Sequence, residues 1–171
     1  TDGENRVNIT AYDDVCDKMQ PSGKQCEAEK NHGCFYTRTT GIWQTVWLEY
    51  VPKNYIENVK LTPDVDNEKL DITVRLAHVS AKGDTVSATA YYNGEEVVSA
   101  TAKTVGKSCI FALPMKDAKL WSISEPNLYD LTLTFGEDKV ETYFGMRKIA
   151  INGMAVEIND EPVFQRLVLD Q

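Results

Sequence analysis

A chain of 171 residues has room for one full domain and part of another, and its 42 % apolar and 26 % charged residues supply a buried core, which argues against global disorder. The net charge of −8 argues against nucleic acid, whose phosphates demand a basic face, and against an anionic membrane surface. No apolar run approaches the roughly 20 residues needed to cross a bilayer, and residues 1–10 are too polar for a signal peptide, although a mature secreted chain would look the same, so the compartment stays open.

Almost every segment reads as strand and turn. In residues 7–12, Val7, Ile9 and Ala11 alternate with polar neighbours and predict a first strand. Residues 13–33 are polar and irregular, with Pro21 and Gly23, and predict a long loop. In residues 40–50, Ile42, Val46, Leu48 and Tyr50 share one face with Gln44, while Trp43 and Trp47 lie on the other. That pattern predicts a strand covered on both faces, ended by Pro52 at a domain boundary.

Strands then recur at short intervals. Residues 55–61 form the first, closed by a polar turn over 63–68, and Leu70, Ile72, Val74 and Leu76 line the buried face of the second. Val86, Ala88, Ala90 and Tyr92 make the next inward face, and Asn93-Gly94 is a strong hairpin signal because both turn positions favour positive φ. Residues 96–102, 108–113, 128–135 and 140–144 complete seven strands, the pattern of an immunoglobulin-like sandwich without a Cys…Trp…Cys core. At most one helical turn is expected, over 115–120. Residues 149–156 and 163–169 predict two further strands around a turn at Ile158-Asn159-Asp160-Glu161-Pro162. Ending on Val168-Leu169-Asp170-Gln171, an apolar strand without a cap, the sequence gives the expectation of a truncated domain.

The four cysteines, Cys16, Cys26, Cys34 and Cys109, have irregular spacings, no CxxC pair occurs, and His32 and His78 are far apart, so neither a metal site nor a cofactor is expected and the thiols are read as free. The acidic pairs Asp13-Asp14 and Glu95-Glu96 read as solvated charges beside a loop and a hairpin turn.

Three segments in sequence carry a family resemblance. Residues 35–49, Phe-Tyr-Thr-Arg-Thr-Thr-Gly-Ile-Trp-Gln-Thr-Val-Trp-Leu-Glu, resemble the closing strand of an N-terminal jelly-roll. Leu120-Trp121-Ser122 with Glu125-Pro126-Asn127-Leu128-Tyr129-Asp130-Leu131 is similar to the corner of a second, immunoglobulin-like domain. Phe144-Gly145-Met146-Arg147-Lys148-Ile149, followed by Ile158-Asn159-Asp160-Glu161-Pro162-Val163-Phe164-Gln165-Arg166, looks like the passage into a (β/α)8 barrel. In this order and spacing they resemble glycoside hydrolase family 2, the β-galactosidase and β-glucuronidase type.

The resemblance implies an all-β chain in three parts: residues 1–51 from a jelly-roll sugar-binding-type domain, 52–154 as the sandwich, and 155–171 as the lead-in to a catalytic barrel. Trp121 is expected to anchor a strand crossing, and the Tyr129 hydroxyl to tie the same corner, as tyrosines do in such sandwiches. Gly145 is expected at a bulge or a position of unusual φ. Retaining glycoside hydrolysis needs two carboxyl groups about 5–5.5 Å apart. The resemblance places both in the barrel, so this chain is expected to be inactive and to serve as scaffold. By the same resemblance Arg166 matches the arginine beneath the catalytic carboxylates, and Asp170 and Gln171 fall at the pocket margin, although Leu167 stands where the family usually has Gly. Phe35 and Tyr36 are the aromatic candidates for contact with a terminal sugar.

The expected partners are the rest of a parent enzyme and its carbohydrate substrate. Self-association is the further expectation, because strands cut from their sheet expose edges and apolar faces; residues 1–35 would then lack order or be covered by a second copy. The competing reading is a stand-alone carbohydrate-binding or adhesion module, for which Trp47, Tyr91 and Tyr92 are the available aromatics.

Overall fold

The structure, a computed structural model, describes residues 3–169. Among these no helix occurs, so none is long and apolar enough to cross a membrane. The chain divides into two compact units, Tyr50–Arg166 and Thr1–Glu49 with Leu167–Gln171.

The larger unit is a seven-strand sandwich followed by a small hairpin sheet. Strands β1 (Ile56–Asp64), β2 (Lys69–Leu76) and β5 (Ser108–Pro114) form one sheet in the order β1-β2-β5. Strands β3 (Thr85–Tyr92), β4 (Glu95–Lys103), β6 (Tyr129–Phe135) and β7 (Asp138–Phe144) form the other, in the order β4-β3-β6-β7. All neighbours run antiparallel. This is the immunoglobulin-like arrangement that the strand count predicts.

Period-two alternation decides which side chains face inward. Leu70, Ile72, Val74 and Leu76 of β2 are fully buried and meet Val86, Ala88 and Ala90 of β3 and Leu131 and Leu133 of β6 in one core. Burial of each large aliphatic side chain contributes about 1.5–3 kcal/mol. Outward neighbours such as Asp71 and Arg75 are charged, and Arg75 Nε donates to Glu57 Oε2 of edge strand β1 at 2.7 Å. The β3–β4 hairpin turns on Asn93 (φ 52°) and Gly94 (φ 84°), the two positive φ values of a type I′ turn. Asp138, buried at the start of β7, accepts a hydrogen bond from the Ile56 backbone N–H at 2.8 Å and fixes where β1 begins.

Several boundaries differ from those the periodicity predicts. The β1 ladder runs through Pro63 and Asp64, so the turn is shorter than 63–68. Residues 149–156 split into β8 (Ile149–Asn152) and β9 (Ala155–Ile158) around Gly153 (φ 60°), because two short apolar runs interrupted by Asn-Gly read as one. The predicted turn after them contracts to Asn159-Asp160, both at positive φ, and Glu161–Pro162 becomes β10, the third strand of this sheet.

Three predicted strands do not form. Residues 7–12, 40–50 and 163–169 lie outside any ladder, and Trp43, Leu48, Tyr50, Phe164 and Val168 are exposed. Alternation specifies which faces want cover; a strand also needs a neighbour to receive its N–H and C=O groups, and although Val163 N donates to Val156 O at 2.9 Å, no ladder forms along these segments among the described residues. In the smaller unit the chain folds locally instead. Gln25 bridges Tyr36, Cys26 N donates to Tyr36 O at 2.9 Å, and Val15 and Cys26 are buried. All four cysteines carry free thiols.

Candidate functional site

The most connected polar region lies where the sandwich passes into the β8–β9–β10 sheet. After β5 the chain crosses to β6 through residues 115–128, and Trp121 sits at the corner. Its N–H donates to Met146 O at 2.9 Å, and Leu120 pairs in parallel with Met146. Asn127 holds the same corner from the other side, donating from Nδ2 to Leu120 O at 3.0 Å and accepting from the Tyr92 hydroxyl at 2.7 Å.

Tyr129 behaves as its position in the sequence predicts. Its ring is buried between Tyr92 and Phe144, with centroids 5.1 and 5.3 Å away, and its hydroxyl accepts from the Lys119 backbone N–H at 2.7 Å. Burial raises the phenol pKa above its ordinary 10.0, so the hydroxyl stays neutral in the physiological range. Gly145 is explained differently from expectation. It is absent from the positive-φ positions of the backbone; a Cβ there would stand 3.2 Å from Trp121 Cβ, so the small residue admits the indole.

Beyond the corner, Asn159 and Lys148 couple the hairpin sheet to the sandwich. Asn159 Nδ2 donates to Trp121 O at 3.0 Å, and its Oδ1 accepts from Lys148 N at 3.0 Å. Lys148 Nζ lies 2.8 Å from Asp66 Oδ1 in the β1–β2 turn and 2.9 Å from Asp160 Oδ1 in the β9–β10 turn. Hydrogen bonds first to Asp66 and then to Asp160 hold its pKa well above the ordinary lysine value. Arg147 turns the other way, with its guanidinium 4.8 Å from the Trp121 ring centroid. This set of contacts can fix the angle at which chain leaves the sandwich, and its two carboxylates, Asp66 and Asp160, are both engaged by Lys148.

Arg166 is exposed and makes no ion pair among the described residues, while Asp170 and Gln171 lie outside the described residues. Phe35 is 42 % and Tyr36 54 % exposed, and Phe35 packs edge-on against His32. Asp14 accepts from Cys16 N at 3.0 Å, a local turn contact, and Asp13 accepts from Gln25 Nε2, twelve residues on, at 3.3 Å. Glu95 and Glu96 are exposed at the start of β4. Among the described residues no group of three or more His, Cys, Asp or Glu side chains is arranged to hold a metal. Sequence reasoning gave no role to Lys148, Asp66 or Asn159. A lysine three residues after Gly145 and a turn rich in Asp and Asn are common surface features, and only their meeting gives them meaning.

Comparison with known proteins places this region. Residues 54–147 match the profile of Glycosyl hydrolases family 2, which begins just before β1 and ends at Arg147. A β-galactosidase of Leuconostoc mesenteroides is 29 % identical over 149 residues, covering 75 % of this chain and 14 % of the relative; one of Aeromonas hydrophila is 26 % identical over 147 residues with the same coverages. The chain thus spans about one seventh of the length of these curated relatives. Among solved structures, a β-glucuronidase of Lactobacillus rhamnosus superposes with a TM-score of 0.54 at 22 % identity, over 67 % of this chain and 19 % of that one. A Ruminococcus gnavus β-glucuronidase gives 0.51 at 19 % identity, over 68 % and 20 %, and these likenesses speak to the fold. With its profile match covering more than half of its length, the chain belongs to glycosyl hydrolase family 2.

Proposed function

We propose that this chain is a non-catalytic scaffold portion of a family 2 glycoside hydrolase whose whole carries out retaining hydrolysis of β-glycosides, in the manner of a β-galactosidase. In this reading residues 1–51 belong to a jelly-roll domain, 52–154 are the sandwich, and 155–171 lead into the catalytic barrel. The observation that carries it is the junction at Trp121, Asn159 and Lys148. Backbone and side-chain hydrogen bonds, two ion pairs and a cation–ring contact converge there to orient departing chain, and the carboxylates of Asp66 and Asp160 are tied to Lys148. A scaffold has to transmit position, and a doubly anchored turn does so with little freedom.

Arg166, Asp170 and Gln171 then belong to the margin of a sugar pocket completed by the barrel, and the exposed apolar residues of 40–50 await cover from the jelly-roll or from a second copy. The test has two parts. The isolated chain is assayed against chromogenic β-galactosides and β-glucuronides; turnover above the buffer blank that survives repurification overturns the scaffold reading. The intact mass of the protein in its native host is then measured by immunoprecipitation and mass spectrometry. A species several times heavier than 19.2 kDa agrees with the proposal. A native product of 19.2 kDa replaces it with the stand-alone binding module, for which Trp43, Trp47 and Tyr50 are exposed.

A further inference from the structure

Along the seam between edge strands β1 and β7 the two sheets part into an open cleft of about 440 Å3, within the usual range of about 300–1,000 Å3 for small-molecule sites. Leu61 and Pro63 of β1, Leu128, Tyr143 of β7, and Trp121 and Arg147 from the corner line it. Tyr143 lines the cleft and is 66 % exposed, so its aromatic side chain is open to solvent.

The charge in this cleft is uncompensated. The chain carries a net charge of −8, and Lys69, Arg75, Lys139 and Lys148 each sit against a carboxylate. Arg147 does not: among the described residues no carboxylate lies within ion-pair distance of it, and no acidic residue lines the cleft. The acids on either side of it in the chain are engaged elsewhere, Glu141 with Lys139, Glu157 with Asn152 and Asp160 with Lys148, and in the β1–β2 turn Asp66 pairs with Lys148 and Asp64 with Asn67 and Lys69. Asp130, the cross-strand partner of Tyr143, lies outside the lining. The Arg147 guanidinium lies over the Trp121 ring, 4.8 Å from its centroid, and a guanidinium edge matches a carboxylate with two parallel hydrogen bonds.

We infer that this cleft is a binding site for a uronic acid residue of a saccharide, with the carboxylate on Arg147 and the apolar face of the sugar ring against Tyr143. The inference concerns a site within the sandwich and stands on the cleft itself, independent of catalysis by any barrel. Neutral sugars gain the aromatic contact alone, whereas an acidic side chain of a peptide gains the guanidinium contact without the ring.

The experiment is a chemical-shift titration of the full chain, isotopically labelled, with methyl β-D-glucuronide, methyl β-D-glucoside and a short glutamate-containing peptide. Shifts of the Trp121 indole N–H and the Arg147 and Tyr143 amides locate binding without any variant. The expected result is glucuronide binding with a Kd on the order of 1 mM and a glucoside about tenfold weaker. Arg147→Gln is expected to bring glucuronide down to the glucoside level, and Tyr143→Ala to weaken both. Equal binding of the two glycosides, no shifts at these residues up to roughly 50 mM glucuronide, or tighter binding of the peptide overturns the assignment. So does an Arg147→Gln chain that unfolds at the same denaturant midpoint yet keeps its preference for glucuronide.

Discussion

Replacing Tyr129 by Phe isolates one oxygen atom at the corner on which the junction depends. The ring stays 3 % exposed between Tyr92 and Phe144, so packing is conserved, and only the acceptor for the Lys119 N–H at 2.7 Å is removed. A hydrogen bond is worth about 0.5–1.5 kcal/mol net, and a stranded buried donor costs about 1–3 kcal/mol. Lys119 is itself exposed, so water replaces part of the lost partner and the expected loss is about 1–1.5 kcal/mol. With a slope of roughly 1–1.5 kcal/mol per molar for a domain of this size, the urea midpoint falls by about 1 M at unchanged slope. The assay is equilibrium unfolding of the sandwich followed by circular dichroism. A midpoint unchanged within about 0.2 M refutes the claim that the hydroxyl ties the corner. A pH series supplies a second reading. Burial raises the folded pKa of Tyr129 above 10.0, so above that pH the unfolded chain loses its proton first, and stability present at lower pH is lost as pH rises through the folded value. Tyr129→Phe lacks that component, while the buried Cys109 thiol, raised by burial above 9.0, begins a similar decline near pH 9.0 in both proteins.

Asp138→Ala removes the buried acceptor of the Ile56 N–H and is expected to cost about 1.5–3 kcal/mol, with faster amide exchange confined first to the start of β1; chemical denaturation with hydrogen exchange reads both. Gly145→Ala is expected to destabilise by about 1 kcal/mol despite the usual entropic gain from alanine, because the new Cβ meets Trp121 Cβ at 3.2 Å and the indole is held in place by its backbone and Arg147; a midpoint higher than that of the parent chain refutes this. Gly94→Ala, at φ 84°, is expected to cost about 1 kcal/mol and to fray the β3–β4 hairpin, visible as faster exchange at Tyr92 and Glu95. Lys148→Met separates Asp66 from Asp160, so amides of β9 and β10 are expected to exchange faster at low salt, with the difference from the parent narrowing as salt rises.

Much of the sandwich was legible because its information is local. The alternation of Leu70, Ile72, Val74 and Leu76 fixes a face before any partner is known, and Asn93-Gly94 fixes a turn from two residues. The same rule misled at residues 40–50, where Trp43 and Trp47 alternate as a strand does but no described neighbour completes the ladder. The junction was legible only in outline. Trp121, Tyr129 and Gly145 stand out as residue types, yet the reason for Gly145 is an indole 24 residues away in sequence, which no φ argument at the glycine reveals.

The sequence by itself determined the fold class and the inward faces of the seven strands, because hydrophobic periodicity and turn chemistry act over a few residues. Only the tertiary structure decided that Lys148 spans Asp66 and Asp160 and that Arg147 lies on Trp121 in an acid-free cleft. Electrostatic and hydrogen-bond partners are set by distances of a few ångströms between segments up to 82 residues apart, and linear order does not encode those distances.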